Sequence, residues 1–109
     1  MIHHRAIDCR SLALHRLVAG KLRADSRLLD LALGNLARWE LTASAVVRPA
    51  LAEWRTLLAS TVDEVISVLV GEDERCVRLR QSSPFAGALT PEERFGILRE
   101  FHTHESRAA

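Results

Sequence analysis

The fold class depends on the segment TVDEVISVLVG, residues 61–71, in which two structural tendencies compete. Its β-branched residues favour a strand, because such side chains fit a pleated sheet. Its apolar residues nevertheless recur at steps of three and four, which is helical spacing. Thr61 can cap a helix, with Glu64 three residues later as the second half of a capping box. The cap signal therefore predicts a helix over residues 62–70, ended by Gly71 in a left-handed conformation.

The segments before this one carry the same helical spacing. Residues 11–23 place apolar and basic side chains on opposite faces and predict an amphipathic helix. A second helix follows, with Asp25 or Ser26 as its cap, and apolar residues around much of its circumference predict a central position. Pro49 fits the first turn of a third helix, and we expect residues 46–47 before it to be extended.

The segments after the glycine predict two more helices with a loop between them. Acidic residues at positions 72–74 suit the beginning of a short helix that runs to about Gln81. Residues 82–89 lack helical spacing and contain a proline and a glycine, which predicts a loop. Thr90 and Pro91 begin the last helix. The sequence therefore predicts an all-α fold, a single-domain bundle of five to six short amphipathic helices.

The helical faces also predict the core. A chain of 109 residues has the length of one domain with one core, so residues 1–109 are expected to form a single domain, with residues 1–8 and 105–109 flexible. The side chains expected to be buried are Leu22, Leu29, Leu36, Trp54, Leu58, Ile66 and Leu69. The apolar face of the last helix is predicted to hold Phe95, Leu98, Phe101 and His102.

Composition indicates a globular protein that works in the cytoplasm. The chain is 48% apolar and 27% charged, with a formal net charge of +1, which is typical of a packed domain. Its longest apolar run, residues 65–70, is too short to cross a bilayer, and residues 1–5 carry no secretory signal. Basic residues are interleaved with acidic ones, which disfavours a nucleic-acid partner. We therefore expect a cytoplasmic protein without membrane contacts.

No pattern in the sequence predicts a catalytic, metal or cofactor site. The terminal histidines, which lack the spacing that lets two imidazoles share an ion, are His3, His4, His102 and His104. His15 is interpreted as a partly buried helix residue. Cys9 and Cys76 are interpreted as semi-buried thiols, because neither has a neighbour that would activate it. We expect no enzymatic activity and no cofactor.

The loop of residues 82–89 is the most unusual feature, because it places Phe85 and Leu89 beside polar residues. Two alternatives stay open: these side chains pack into the domain's own core, or they contact a partner. Trp39 could anchor an interface, and the acidic residues 72–74 could meet a basic partner, although their place at a helix start explains them as well. The residues predicted to contact a partner are Arg80, Gln81, Ser82, Ser83, Pro84, Phe85, Leu89, Trp39, Glu72, Asp73 and Glu74.

The string RLRQSSPFAGALTPEER, residues 78–94, together with SLALH at residues 11–15 and AEWR at residues 52–55, resembles a family of small bacterial proteins. Members of that family are encoded beside a nucleotidyltransferase-fold protein of the AbiEii or MenT type, as in a toxin-antitoxin module. The resemblance implies an antitoxin that neutralises a toxin acting on tRNA with nucleotides. Other antitoxins of AbiEii-type toxins carry a winged-helix DNA-binding domain, and nothing in this sequence suggests one.

The leading hypothesis is an antitoxin that docks on a cognate nucleotidyltransferase toxin and blocks its nucleotide or tRNA site. The alternative is a helical adaptor or a homodimeric regulatory protein without DNA binding, which uses the same apolar surface on itself. A helix-turn-helix repressor is disfavoured, since no predicted helix has three exposed basic residues free of acidic neighbours. The partner expected is therefore the toxin protein, with self-association as the alternative.

Overall fold

A computed structural model describes the backbone of residues 2–108 and the side chains of residues 8–101. Within residues 2–108 the chain forms six α-helices and no strand. The helices are α1 (Ile2–Ala24), α2 (Leu28–Glu40), α3 (Arg48–Leu58), α4 (Val62–Val70), α5 (Glu74–Arg80) and α6 (Pro91–Ala108). The prediction of a small all-α bundle is confirmed.

Helix α4 begins as its capping residues predict but ends differently. The Thr61 hydroxyl accepts a hydrogen bond from the Glu64 N–H at 3.1 Å, which satisfies a donor that the first turn leaves unpaired. Gly71 was predicted to be left-handed, and this is wrong, because its backbone is extended with φ −69° and ψ 152°. A Cβ atom at this position would collide with the Cys76 Sγ atom and would lie 2.8 Å from the Ser67 carbonyl oxygen. Close packing of α5 on the end of α4 therefore explains the glycine.

The last two helices begin where the sequence predicts, and both are capped, although only the cap of α6 was predicted. The Asp73 carboxylate accepts from the Cys76 N–H at 2.8 Å at the start of α5. At the start of α6, Thr90 and Glu93 form a reciprocal capping box. The Glu93 N–H donates to the Thr90 hydroxyl at 3.1 Å, and the Thr90 N–H donates to a Glu93 carboxylate oxygen at 2.8 Å.

The first two helices begin at other residues than predicted. Helix α1 begins at Ile2, well before residue 11, while the expected flexibility of residues 1–8 and 105–109 stays a prediction. Neither Asp25 nor Ser26 caps α2, whose N-cap is Arg27 without a side-chain cap bond. The Asp25 carboxylate instead accepts from the Arg27 N–H at 3.0 Å, because the short α1–α2 connection is itself a turn.

The link between α2 and α3 is not extended. Val47 has φ −86° and ψ −28°, and its N–H donates to the Ser44 carbonyl at 3.1 Å, so residues 45–47 form a turn. Pro49 lies in the first turn of α3, as predicted, where its missing N–H costs no hydrogen bond. Residues 46–47 were expected to be extended because a proline follows, but the hydrogen-bonded turn replaces the extended conformation.

The core lies between α1, α3, α4 and α5 together with one face of α2, and the connection after α5 closes one side. Leu22, Leu36, Trp54, Leu58, Ile66 and Leu69 are buried as predicted, and Leu29 is partly buried against them. Helix α2 is not central, because it packs mainly on α3 and leaves several leucines partly exposed. Helix α1 takes the central place and contacts α2, α4, α5 and α6.

Helix α6 packs mainly against α1, so its apolar face is only partly covered. Leu98 and Phe101 are half-buried, whereas Phe95 is 60% exposed, so only part of the predicted apolar face is covered. The Arg99 guanidinium instead lies 5.1 Å from the Phe95 ring centre. The side chain of His102 lies outside the described residues.

Candidate binding groove

The α5–α6 loop, residues 81–90, is fixed to the body of the protein by a buried asparagine. Asn35, on α2 and 6% exposed, donates from Nδ2 to the carbonyl oxygens of Pro84 and Ala86, both at 2.8 Å. The Arg38 guanidinium donates to the Asn35 amide oxygen, which orients the amide. Because a buried donor without a partner is costly, these bonds hold the loop in one conformation.

Apolar contacts fix the same loop from below. Phe85 is 4% exposed, and its ring meets the Trp54 ring edge to face with centroids 6.2 Å apart. Pro84 is also buried, and Leu89 is partly buried against the core. Of the two alternatives that the sequence left open, the structure therefore places Phe85 in the core. Neither Phe85 nor Pro84 presents its side chain to a partner in this conformation.

Arg80 is also buried, at 5% exposure, and its environment explains why. Its guanidinium donates to the carbonyl oxygens of Val68 at 3.1 Å and Leu69 at 3.4 Å, and also to that of Gly71. These carbonyls end α4, where the helix dipole favours a positive charge. The Nε–H of Arg80 has no hydrogen-bond partner in the described part of the chain. Arg80 thus fixes the start of the α5–α6 loop to the end of α4.

Lys21 fixes the other end of this loop. Its ammonium donates to the Ala88 carbonyl and to a Glu93 carboxylate oxygen, both at 2.7 Å. These two bonds tie α1, the loop and the first turn of α6 together. The ammonium lowers the pKa of Glu93, with a further contribution from the Thr90 N–H. The loop is therefore held to three different helices by polar side chains.

A groove of about 900 Å³ lies between α1, the α5–α6 loop and α6, and we call it the basic groove. The described residues that line it share a pattern, in which apolar side chains alternate with basic ones and neither Asp nor Glu occurs. The apolar residues are Leu14, Val18, Phe85, Leu89 and Leu98, and the basic or imidazole residues are Arg10, His15, Arg80 and Arg94. The groove therefore combines an apolar lining with charge of one sign.

Among the residues whose side chains are described, no carboxylate neutralises the positive charge of the basic groove. Arg10 and Arg94 form no ion pair with any described residue. The ion pairs of the described residues join Lys21 with Glu93, Arg27 with Asp25, Arg55 with Glu40, and Arg75 and Arg78 with Glu53. The chain as a whole has 15 basic and 14 acidic residues, so its positive and negative charges nearly balance. The basic groove therefore concentrates positive charge in a nearly neutral chain.

His15 lies in the wall of the basic groove and is partly buried, as predicted. Its Nδ1 is 2.7 Å from the Ser11 carbonyl oxygen, so Nδ1 carries the proton and donates. Burial lowers the pKa of His15 below its usual 6.5, the hydrogen bond to Ser11 partly opposes this, and the positive charge of Arg80 lowers the pKa further. At neutral pH the imidazole is therefore mostly uncharged.

A smaller groove of about 360 Å³ lies on the other side of the loop, between α2 and α3, and we call it the neutral groove. It brings together four of the residues predicted to contact a partner, and none of its lining residues is charged. Its residues are Trp39, Thr42, Ala43, Val47, Leu51, Gln81, Ser82 and Ser83. Gln81 and Ser83 line both grooves, so the start of the α5–α6 loop is the wall between them.

The acidic residues predicted as a contact site lie outside both grooves. Glu72, Asp73 and Glu74 are exposed at the start of α5, where Asp73 is the cap. The hydrogen bond from Cys76 lowers the pKa of the Asp73 carboxyl. Capping and the helix dipole account for these acids in the structure, and their contact with a partner stays a prediction.

Sequence reasoning missed the α1 and α6 walls of the basic groove. Arg10, Leu14 and Val18 follow one another at steps of four on α1, and Arg94 and Leu98 do so on α6. Residues four apart share a helix face, so each helix carries a stripe that mixes basic and apolar side chains. The mixture of basic and apolar side chains on these stripes was the signal that could have identified the groove walls. An apolar stripe without basic residues usually indicates the core.

No three His, Cys, Asp or Glu residues in the described part of the chain are placed to hold a metal ion. His3, His4, His102 and His104 lie outside the residues whose side chains are described. Both cysteines are free thiols, but Cys9 is exposed rather than semi-buried, because it points away from the helices that pack on α1. Cys76 is buried, and burial raises the pKa of its thiol.

Comparison of this chain with protein-family models, with curated proteins and with solved structures gave no match. Among the described residues, no helix combines the length and the apolar character needed to cross a bilayer.

Proposed function

We propose that this protein is an antitoxin that binds a cognate nucleotidyltransferase toxin in the cytoplasm and blocks its nucleotide or tRNA site. One observation carries the proposal. The string that resembles the antitoxin family, residues 78–94, forms the wall between the two grooves and one side of the basic groove. A binding segment of this kind is expected on a surface that is concave and rigidly held.

The rigidity of the loop supports a steric mechanism. Asn35, Lys21 and Arg80 fix its backbone, while Gln81, Ala86 and other loop residues stay exposed at the groove. A loop that is already ordered loses little conformational entropy on binding, which favours affinity. The antitoxin thus acts by occupying the toxin surface and not by chemistry of its own.

The test is co-expression with the protein of the neighbouring reading frame, which the proposal expects to be a nucleotidyltransferase. We expect the toxin alone to arrest growth, the pair to grow normally, and the two chains to co-purify. In purified form, the antitoxin should reduce transfer of labelled nucleotide to tRNA in proportion to its concentration. Growth arrest that persists in the presence of the folded protein, or an absence of co-purification, would contradict the proposal.

A pair of matched variants locates the binding surface. Ala86 is exposed on the groove side of the α5–α6 loop, and Ala52 is exposed in the middle of α3, outside both grooves. Ala86→Trp places a large side chain at the proposed contact and should abolish inhibition. Ala52→Trp makes the same chemical change elsewhere and should leave inhibition intact. Equal behaviour of the two variants would show that the toxin binds elsewhere.

A second candidate, a homodimeric adaptor, is favoured by a different surface. Leu41 is 84% exposed and Val46 is 88% exposed, and both belong to the α2–α3 connection that borders the neutral groove. Exposed apolar side chains on one connection can mark a contact site. Sedimentation equilibrium of the purified chain tests this candidate. A dimer at micromolar concentration would support it, whereas a monomer would contradict it and would not affect the antitoxin proposal.

A further inference from the structure

The basic groove carries two kinds of contact, and together they define the chemistry of its occupant. Arg10 lies on the α1 wall and Arg94 on the α6 wall, so the groove is lined by arginines from two different helices. Neither has an ion pair with a described residue. An occupant that carries carboxylates would satisfy both arginines with charge-assisted hydrogen bonds.

The apolar lining of the basic groove further restricts which class of ligand can occupy it. Leu14, Leu89 and Leu98 are only half-buried, so they retain apolar surface that an occupant could cover. A free phosphate or a nucleic-acid backbone gains nothing from such surface, because it offers only charged oxygens. A peptide segment with apolar and acidic side chains in alternation satisfies both kinds of contact. The observations therefore favour a protein segment over a nucleic acid.

The size of the groove suits a segment rather than one side chain. Pockets of roughly 300–1,000 Å³ bury ligands of drug size, and the basic groove lies near the upper end at about 900 Å³. Arg80 adds to the positive field of the groove without offering a free charge, and His15 adds little charge to it. Arg80 is held by the carbonyls that end α4, and His15 is mostly neutral. Arg10 and Arg94 therefore remain as the groups that would pair directly.

We infer that the basic groove binds an acidic, amphipathic segment of the partner protein, with its carboxylates on Arg10 and Arg94 and its apolar side chains on Leu14, Leu89 and Leu98. This inference deepens the proposed function, since that partner is the toxin. Charge complementarity favours this occupant, because the described residues that line the groove include basic but no acidic side chains, in a chain that is nearly neutral overall.

The experiment begins with peptides, so that it does not depend on the toxin. A displayed library of random 16-residue peptides is selected on the full-length protein, and selected peptides are measured by fluorescence anisotropy. We expect the selected sequences to have a net negative charge and regularly spaced apolar residues. Their affinity should fall with increasing sodium chloride, because salt screens the pairing of exposed charges.

Charge-reversal variants then test the place of binding. In the double variant Arg10→Glu and Arg94→Glu, affinity should fall at least about tenfold, as expected for the loss of close charge pairs. A matched double variant, Arg16→Glu and Arg23→Glu, makes the same change at exposed positions of α1 outside the groove and should change affinity less than about twofold. Replacing the acidic residues of the peptide by lysine should restore binding to the groove variant. Circular dichroism checks that both variants fold.

Several outcomes would overturn the inference: no selected peptides, selected peptides without negative charge, equal binding to both double variants, or displacement of the peptides by millimolar inorganic phosphate. The last would indicate a general anion site. The toxin complex separates this inference from the proposed function. If wild type and groove variant inhibit the toxin equally, the antitoxin function is supported, but the inference that the basic groove binds the toxin is wrong. If acidic peptides bind the basic groove but the toxin does not bind the protein, the inference about the groove is supported and the antitoxin proposal is wrong.

Discussion

The basic groove and the neutral groove share a wall but offer different chemistry. Gln81 and Ser83 line both, yet one side meets arginines from α1 and α6, and the other meets Trp39 and Val47 without any charged residue. The basic groove is also the larger, at about 900 Å³ against about 360 Å³. The same loop backbone therefore supports two sites, and the helices opposite the loop decide what each site can bind.

This difference shows that the loop contributes shape while the helices contribute specificity. The loop is held by Asn35 and Lys21, which line neither groove, and by Phe85, whose ring packs on Trp54. A change at these anchors should disturb both grooves together. A change on the opposing helices should affect one groove alone.

The largest effect is expected for Phe85→Ala, which removes the apolar anchor common to both grooves. Loss of a buried phenylalanine leaves a cavity, so the free energy of unfolding should fall by about 3 to 5 kcal/mol. Urea denaturation followed by circular dichroism measures this change. Phe95→Ala is the matched control, because Phe95 is 60% exposed and its truncation should have little effect. Similar losses in the two variants would show that Phe85 is not the anchor of the loop.

A smaller but more local effect is expected for Asn35→Ala. The variant leaves the Pro84 and Ala86 carbonyls without their donor, which should cost about 1 to 3 kcal/mol of unfolding free energy. Hydrogen exchange should speed up for the amides of residues 85–88 more than for those of α3. Asn35→Asp has the same shape but places carboxylate oxygens against the two carbonyls, so it should destabilise the loop at least as much. Unchanged exchange in both variants would mean that the loop is ordered without Asn35.

The sequence predicted the helices well where local signals agreed with the final packing. Thr61 and Thr90 cap their helices as expected, since a capping bond involves residues only three apart. Gly71 was predicted to stop α4, and it does, but the reason is the approach of Cys76 and not a left-handed turn. That contact depends on how α5 packs on α4, which no pattern within α4 records.

The candidate site was predicted only in part, because each groove is assembled from distant segments. The loop of residues 82–89 stood out in the sequence through its apolar residues among polar ones. Its anchor Asn35 did not, since a single polar residue in an apolar helix carries no information about a loop 49 residues away. Arg10 and Arg94 were missed for the same reason: their shared groove exists only after α1 and α6 pack together.

The pH dependence of stability should single out the basic groove, through His15. The pKa of His15 is lowered in the folded protein, so on acidification the unfolded chain binds the proton first. Stability is therefore complete above pH 6.5 and falls as the pH decreases through 6.5 toward the lowered value. Carboxyls with lowered pKa, such as Glu93, lose their contribution only at lower pH, near and below their usual 4.5.

Thermal midpoints recorded from about pH 8 to about pH 5.5 measure this dependence. His15→Gln should flatten the plot of thermal midpoint against pH in that interval. Subtracting the variant's plot from that of the wild type cancels the contribution of the other histidines. The change should be modest, since His15 is only partly buried. Parallel curves for wild type and variant would show that Arg80 and burial do not disfavour the charged imidazole.

The smallest effect on stability is expected beside the neutral groove, in the double variant Leu41→Ser and Val46→Thr. Both side chains are almost fully exposed, at 84% and 88%, so the free energy of unfolding should change by less than about 0.5 kcal/mol. If a second copy of the chain covers this surface, sedimentation equilibrium should show a weaker dimer in the variant, while binding of acidic peptides to the basic groove stays unchanged. That combination would separate the two grooves by function as well as by chemistry. A loss of peptide binding in this variant would instead mean that the two grooves form one continuous site across the wall of Gln81 and Ser83.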